Sequence, residues 1–397
     1  MKIAYVGPFD FPSSNANSLR VSGMIDALLM AGHHVQVCAF TSHTKETVSH
    51  LDSEQVQVSY ANEYDKGLLA GIHVGLRGLF LGDNTLRWLQ SLELKPDVII
   101  LYGTHLGYLW RLLAFCKQYD IRLVLDVVEW YDPRHLPGGL FGPFAITNEL
   151  SMRFFAKKAD GMFVISKYLQ EHFSNQGCKT LRVPPLFSIQ SARPPQFREK
   201  NGRLNLCYVG SPGKKEDFIS MVHGLQIAYD AGSLFTMHVV GITAAQFQQS
   251  YGMESLSVLR EAGYIQFYGR VDNSQAKEIV ASCDFLVLLR KSERFVQAGF
   301  PSKVAESLCL GTPVMANLMS DLSEFLIDGE NGIIVPELSA GAVANTIGQA
   351  VKIEDGRLEL MKDKALNLSK KQFGQRAYFS EISNFIYSSC SNKTTGS

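Results

Sequence analysis

Short apolar runs alternate with longer amphipathic stretches along nearly the whole chain. Within the runs, apolar and polar residues do not alternate, which is typical of strands buried on both faces of a parallel sheet. Apolar residues at helical spacing fill the intervals, as in residues 19–31 and 275–282. The strands predicted in this way are 2–7, 34–40, 97–103, 122–129, 161–166, 204–209, 235–240, 264–267, 284–289, 313–316 and 332–335. The pattern predicts an α/β protein in which helices flank parallel sheets.

This regular pattern breaks once, near residues 184–203, where four prolines and several charges stand close together. Such a stretch continues neither a sheet nor a helix, and it predicts a linker. We therefore expect two facing, doubly wound, Rossmann-like domains at 1–187 and 204–374, with the linker at 188–203. Ligands of such folds bind at the carboxyl ends of the strands, so we expect them in the crevice between the domains. The last helix, about 375–387, is expected to rejoin the first domain, and 388–397 to form a polar tail.

Composition narrows the functional classes. Among 397 residues, 38 Lys and Arg balance 38 Asp and Glu, and this neutrality argues against a nucleic-acid-binding protein. The seven cysteines are scattered without a C-x-x-C pair, as in a reduced cytoplasmic protein. The sequence begins directly with a strand pattern and has no run of about 18 apolar residues, so we expect neither a signal peptide nor a spanning helix. Residues 67–81 are apolar and glycine-rich; packing on the sheet is the favoured interpretation, and peripheral membrane contact is the alternative.

The turn after the first predicted strand of each domain lacks the sequence motifs of common nucleotide-binding loops. Residues 7–15 contain one glycine and lack G-x-G-x-x-G, and residues 210–215 fail the P-loop spacing. A dehydrogenase or P-loop NTPase is thereby disfavoured. The second turn contains Gly210, Gly213 and two lysines, so it predicts either an anion-binding turn or an ordinary tight turn.

Residues 290–314 contain the clearest chemistry. A strand ends at Arg290, Gly299 allows a sharp turn, and Pro301 is suited to the first position of a helix that Gly311 ends. The first-turn amides at Ser302 and Lys303 would then face a diphosphate. Glu306 follows on the same helix face, where its carboxylate can accept hydrogen bonds from the two hydroxyls of a ribose.

The second half resembles the retaining glycosyltransferases of family 4, which have the GT-B architecture. The resemblance lies in the stretches 208–217, 267–271 and 298–306 and in the turns 311–314 and 328–332. It implies a nucleotide-sugar donor on the C-terminal domain and an acceptor on the N-terminal one. The variant Gly-Phe-Pro-Ser-Lys resembles bacterial enzymes that build capsule or other surface polysaccharides.

The resemblance assigns roles to particular residues. It places Lys215, or alternatively Lys214, and Arg290 on the diphosphate as catalytic cations, and Arg270 near the base. The chain departs from the family pattern at Ala298, where a glutamate is frequent, and around 125–132, where a histidine is frequent. Glu129 is the nearest polar substitute for that histidine. The expected donor-binding residues are Gly210, Gly213, Lys215, Arg270, Arg290, Pro301, Ser302, Lys303 and Glu306.

Four polar residues after the first strand are candidates for contact with the acceptor. They are Ser14, Asn15, Asn17 and Arg20. Helix capping is the simpler interpretation for any one of the Ser and Asn residues. Histidines and carboxylates show no metal spacing and no D-x-D pair, so we expect neither a metal nor another cofactor.

Together these observations predict a cytoplasmic enzyme that transfers a sugar from a nucleoside diphosphate sugar to a glycan or lipid-linked acceptor. Retention of anomeric configuration is implied by the resemblance. A nucleotide-sugar epimerase of the same fold and a non-catalytic nucleotide-sugar-binding subunit are the alternatives.

Overall fold

The computed structural model describes residues 1–13, 15–41, 55–63, 81–189, 202–210, 213, 215–251 and 255–390. The chain forms two compact units. The first comprises Met1–Leu186, the short segment Gln297–Phe300 and the C-terminal Gln375–Ser397, and the second comprises Phe187–Val296 and Pro301–Gly374. The predicted linker at 188–203 begins next to the boundary between Leu186 and Phe187. Most of this linker lies outside the described residues, and so does most of the apolar segment 67–81.

A seven-stranded parallel sheet organises the first unit, with strand order β3-β2-β1-β4-β5-β6-β7. Its strands are β1 (Lys2–Val6), β2 (His34–Ala39), β3 (Val56–Tyr60), β4 (Val98–Tyr102), β5 (Arg122–Val127), β6 (Gly161–Val164) and β7 (Thr180–Arg182). The central strands β4, β5 and β6 are buried along their whole length. Because the order reverses between β1 and β4, their carboxyl ends lie at the switch point where such sheets bind ligands.

Helices connect these strands. They are α1 (Ala16–Met30), α2 (Asp83–Ser91), α3 (Leu106–Tyr119), α4 (Pro143–Leu150), α5 (Lys167–Ser174) and, from the end of the chain, α15 (Gln375–Cys390). After α4 the helical path continues through a π turn at Ser151–Phe155 and a 3₁₀ turn at Ala156–Lys158. Two further 3₁₀ turns, Pro133–His135 and Gly139–Phe141, precede α4.

The second unit repeats this plan with a six-stranded parallel sheet of order β10-β9-β8-β11-β12-β13. Its strands are β8 (Leu204–Val209), β9 (Phe235–Val240), β10 (Ile265–Gly269), β11 (Phe285–Leu288), β12 (Val314–Ala316) and β13 (Gly332–Ile334). Its helices are α6 (Phe218–Asp230), α7 (Ala244–Tyr251), α8 (Ser255–Glu261), α9 (Asn273–Ser282), α10 (Arg294–Gln297), α11 (Ser302–Cys309), α12 (Leu322–Phe325), α13 (Ala340–Ala350) and α14 (Asp355–Gln372). Here the switch point lies between β8 and β11.

The predicted fold class is confirmed, since the chain folds into two parallel α/β sheets flanked by helices. Every predicted strand is present within two residues of its expected ends. Strands β3 and β7 were missed because β3 mixes Val with Gln and Ser and is half-exposed, and β7 has three half-buried residues. One boundary differs: Pro301 caps α11, and Ser302 is the first helical residue. Within the described residues, no helix is long and apolar enough to cross a bilayer.

Candidate functional site

The switch point of the second unit brings together three segments that are distant in sequence. Gly210 follows β8, Arg290 follows β11 after one residue, and α11 begins with Ser302 nearby. Gly210 has a φ of +113°, and a Cβ at this position would lie 2.7 Å from Lys303 Nζ. The backbone angle therefore favours a glycine, and a side chain here would also displace the end of Lys303, which reaches across it.

A carboxylate that the sequence analysis did not select, Glu216, holds the cations of this cluster together. Its Oε1 accepts a hydrogen bond from the Arg290 guanidinium at 2.9 Å and lies 3.5 Å from Lys303 Nζ. Its Oε2 accepts a hydrogen bond from the Gly213 amide at 3.1 Å. Burial alone would raise the pKa of Glu216, but Lys303 and Arg290 outweigh it and hold the pKa below its usual value.

The two cations are held from several sides. Asn317 fixes the backbone of Arg290 by accepting from its amide at 3.0 Å and donating to its carbonyl at 2.9 Å. Arg290 Nε is buried and lacks a hydrogen-bond partner in the part of the chain that the structure describes. Lys303 Nζ lies 3.2 Å from the Tyr208 hydroxyl, and burial lowers the pKa of this lysine although Glu216 opposes the shift.

Glu306 lies one turn along α11 from Lys303, and both side chains line a cavity of about 50 Å³. Asn273 and Lys277 of α9 line the same cavity, with Lys277 Nζ 4.0 Å from Glu306 Oε1. Burial raises the pKa of Glu306, and Lys277 opposes the shift. The helical spacing therefore brings these two predicted donor residues to one cavity.

The cavity of Glu306 is not lined by Lys215, Arg270 or Ala298. Lys215 is half-buried, with its Nζ 5.9 Å from the centre of the Phe295 ring. Arg270 is exposed just after β10 and does not line the cavity of Glu306. Ala298 is fully buried, and its carbonyl accepts a hydrogen bond from Ser166 Oγ at 2.8 Å.

In the first unit, a cavity of about 140 Å³ opens at the carboxyl ends of β4 and β5. It contains two of the expected residues, Asn17 and Glu129, and three that the sequence analysis missed, His105, Tyr131 and Asn148. Asn17 Oδ1 accepts from the Tyr102 hydroxyl at 2.9 Å, which holds α1 against β4.

His105 lines this cavity with a buried imidazole. Its Nδ1 is buried and has no hydrogen-bond partner among the described parts of the chain. Burial lowers the pKa of His105 to about 4, so the imidazole is neutral near pH 7. A neutral imidazole can donate from one nitrogen and accept at the other, which suits a ligand hydroxyl. The sequence signal for this residue is its place three residues after the end of β4, immediately before α3.

The remaining acceptor candidates are Asn15 and Arg20, which contact other residues of the chain, and Ser14. Asn15 caps α1 by accepting from the Ser18 amide at 2.8 Å. Arg20 is buried, with a salt bridge of 2.8 Å to Asp126 and hydrogen bonds to the carbonyls of Val183 and Pro184. The expected contact of Arg20 with an acceptor is therefore replaced by a structural role. Ser14 lies outside the described residues.

The described residues offer no ligand set for a metal ion in either unit. Among the side chains that the structure describes, no three His, Cys, Asp or Glu residues come close enough to hold a metal ion. That the enzyme uses no metal stays a prediction.

Two family models match the chain. One for group 1 glycosyl transferases matches residues 203–352, and one for a glycosyl transferase 4-like domain matches residues 18–185. Two uncharacterized glycosyltransferases of Methanocaldococcus jannaschii are similar: one is 24% identical over 232 residues, the other 25% identical over 136 residues. The first alignment covers 55% of this chain and 55% of that relative, and the second covers 33% of this chain and 37% of that relative. The chain therefore aligns with about half the length of these relatives or less.

Solved structures share the fold over nearly the whole chain. HepE of Anabaena, in complex with UDP and glucose, has a TM-score of 0.69 at 15% identity. The superposition covers 98% of this chain and 100% of the HepE chain. Sucrose-phosphate synthase from Thermosynechococcus elongatus has a TM-score of 0.72 at 14% identity and covers 98% of each chain.

Proposed function

The chain belongs to the group 1 glycosyltransferases with the GT-B fold, and from this premise we propose that it transfers a sugar from a nucleoside diphosphate sugar to a hydroxyl of a glycan or lipid-linked acceptor. We propose further that the anomeric configuration is retained and that the product belongs to a surface polysaccharide such as a capsule. The assignment to surface polysaccharide synthesis rests on the resemblance of residues 299–303 to the corresponding segment of bacterial polysaccharide enzymes. Of the seven cysteines, the six whose side chains the structure describes are free, which suits a reducing compartment such as the cytoplasm.

The observation that carries the proposal is the cluster of Arg290, Glu216 and Lys303 at the switch point of the second unit. Two cations share one carboxylate, and the buried Arg290 Nε has no acceptor among the residues that the structure describes. Buried polar groups are nearly always hydrogen-bonded, so an anion is the expected complement of this site. The first-turn amides of α11 add further donors, because they have no acceptor within the helix.

The reaction makes specific demands on these groups. The bond between the anomeric carbon and the β-phosphate oxygen breaks, and a bond from the same carbon to the acceptor oxygen forms. Negative charge grows on the leaving phosphate, which takes the acceptor's proton. Arg290 and Lys215 are proposed to stabilise that charge, and such stabilisation is larger in the transition state than in the bound substrate.

UDP-sugars are the first donors to test, because HepE shares the fold and its structure contains UDP. We propose that Glu306 accepts hydrogen bonds from the ribose hydroxyls at the cavity it lines with Lys303. The cavity of the first unit is proposed to take the acceptor sugar, with Asn17, Glu129 and His105 as hydrogen-bonding groups.

Product analysis tests the proposal and separates its rivals. The protein is incubated with UDP-glucose, UDP-galactose or UDP-N-acetylglucosamine, with and without a panel of oligosaccharide acceptors. Free UDP released only with acceptor, together with an elongated acceptor of retained configuration by NMR, supports the transferase. Epimerised donor without acceptor would identify an epimerase. Donor binding without any product would identify a binding subunit.

A further inference from the structure

An exposed apolar stripe runs along the first unit between residues 140 and 154. It consists of Leu140, Phe141, Ile146, Leu150 and Phe154. Phe141 is 89% exposed, and the other four are 38% to 60% exposed. Soluble proteins expose single apolar residues often, but a contiguous set of large ones marks an interaction surface.

The stripe follows one face of a helical stretch. Ile146, Leu150 and Phe154 are spaced four residues apart along α4 and the π turn, so they lie on the same side. A neighbouring side of the same helical stretch is packed, since Ala145 and Met152 are buried. The helix therefore turns an apolar face to the protein and a second apolar face outwards.

Exposed cations lie in the same stretch of the chain as this stripe. Arg134 is 62% exposed, whereas the carboxylate it contacts, Asp132, is 8% exposed. Arg153 is likewise 51% exposed beside Glu149 at 24%. Lys157 and Lys158 are exposed at the end of the stretch. Asp132 and Glu149 offset the charges of Arg134 and Arg153, so the excess positive charge of this stretch comes from Lys157 and Lys158.

We propose that this apolar stripe and its cations bind the surface of a lipid bilayer that contains anionic headgroups. Large apolar side chains with lysine and arginine beside them are the pattern of helices that lie in the bilayer interface. The cations complement anionic lipids, and the apolar side chains reach the acyl boundary. The same segment lines the cavity of the first unit with Phe144, Thr147 and Asn148, so that cavity would lie beside the lipid surface.

Vesicle cosedimentation with the full chain and no substrate tests this surface independently of the proposed reaction. Wild-type protein should bind vesicles of phosphatidylcholine with phosphatidylglycerol about tenfold more tightly than vesicles of phosphatidylcholine alone. Phe141→Ser and Phe154→Ser should each weaken binding by about tenfold. Lys157→Gln with Lys158→Gln should lower binding to the anionic vesicles alone.

Leu94→Ser is the matched control, because Leu94 is 65% exposed in the same unit. Leu94 comes before the amino end of β4, whereas the stripe comes after the carboxyl end of β5. This control variant should bind like wild type, and unchanged melting temperatures will show that the variants fold. Three results would overturn the proposal: no binding of wild type to anionic vesicles, an equal loss in Leu94→Ser, or a wild-type dimer that Phe141→Ser dissociates.

Discussion

Glu216 illustrates how a single side chain organises the proposed donor site of the second unit. Its carboxylate holds Arg290 and Lys303 at 2.9 and 3.5 Å, although these residues come from two other segments. An arginine fixed in this way needs little reorganisation when charge develops on a phosphate, and such preorganisation is a large part of electrostatic catalysis.

Arg290→Ala should lower kcat by a factor of about 10²–10³ and donor affinity much less, because the guanidinium acts mainly on the leaving phosphate. Lys215→Ala should behave in the same way. Steady-state kinetics with a matched donor and acceptor measures both. The exposed neighbour Lys291 provides the control Lys291→Ala. An equal loss of kcat in that control would contradict the proposed role.

Glu306→Ala should weaken UDP binding by about 1.5–3 kcal/mol, since hydrogen bonds to a charged carboxylate are lost. The fold should persist because alanine favours a helix. Isothermal titration calorimetry measures the affinity, with Glu278→Ala, at an exposed position of α9, as the control. A folded Glu306→Ala protein with wild-type affinity would exclude Glu306 from the ribose site.

His105 should make the protein sensitive to acid. Its pKa falls from 6.5 to about 4 on burial, so the unfolded chain takes up a proton in this pH range and the folded chain does not. The stability contributed by the neutral imidazole is present above 6.5 and is lost as the pH falls towards 4. Urea unfolding across this range should show a weaker pH dependence for His105→Gln than for wild type. The variant of an exposed histidine, His34→Gln, should keep the wild-type dependence, and identical curves for all three proteins would count against this assignment.

At the scale of elements, a buried ion pair joins α1 to the sheet of the first unit. Arg20 of α1 contacts both carboxylate oxygens of Asp126 on β5, and the Tyr5 hydroxyl of β1 donates to the same group at 2.5 Å. Arg20 also donates to the carbonyls of Val183 and Pro184, so it links the helix, the sheet and the end of the unit.

Asp126→Asn should destabilise the first unit by about 3–5 kcal/mol, because it leaves the buried Arg20 guanidinium without its counter-charge. Urea unfolding followed by circular dichroism measures the change. Asp120→Asn at the exposed end of α3 should have little effect, since asparagine also tolerates the left-handed angle there. A loss below about 1 kcal/mol in Asp126→Asn would show that the pair contributes little.

At the scale of the whole molecule, the chain crosses between units more than once. The last helix, α15, belongs to the first unit, where Ile382, Phe385 and Ile386 are buried. Gln375 Nε2 at its start donates to Asp26 of α1 at 2.7 Å. The first unit is therefore completed only after the second has been synthesised.

A chain that ends at Gly374 should lose stability in its first unit while the second unit keeps its fold. Each buried apolar side chain of α15 contributes about 1.5–3 kcal/mol. Hydrogen exchange read by mass spectrometry should show faster exchange in β1 and α1 and unchanged exchange in β8 and α6. A chain that ends at Cys390 is the control, and equal protection of β1 in both truncated chains would contradict this role of α15.

The sequence by itself determined what depends on neighbours along the chain. Continuous apolar runs are buried on both faces, so they identified the central strands and the fold class, whereas the half-exposed β3 carried no such signal. Helical spacing likewise brought Lys303 and Glu306 to one cavity. Only the tertiary structure decided contacts between distant segments. Glu216 meets Arg290 across 74 residues of sequence, and Asp126 meets Arg20 across 106, so burial and pairing there depend on strand order rather than on local pattern.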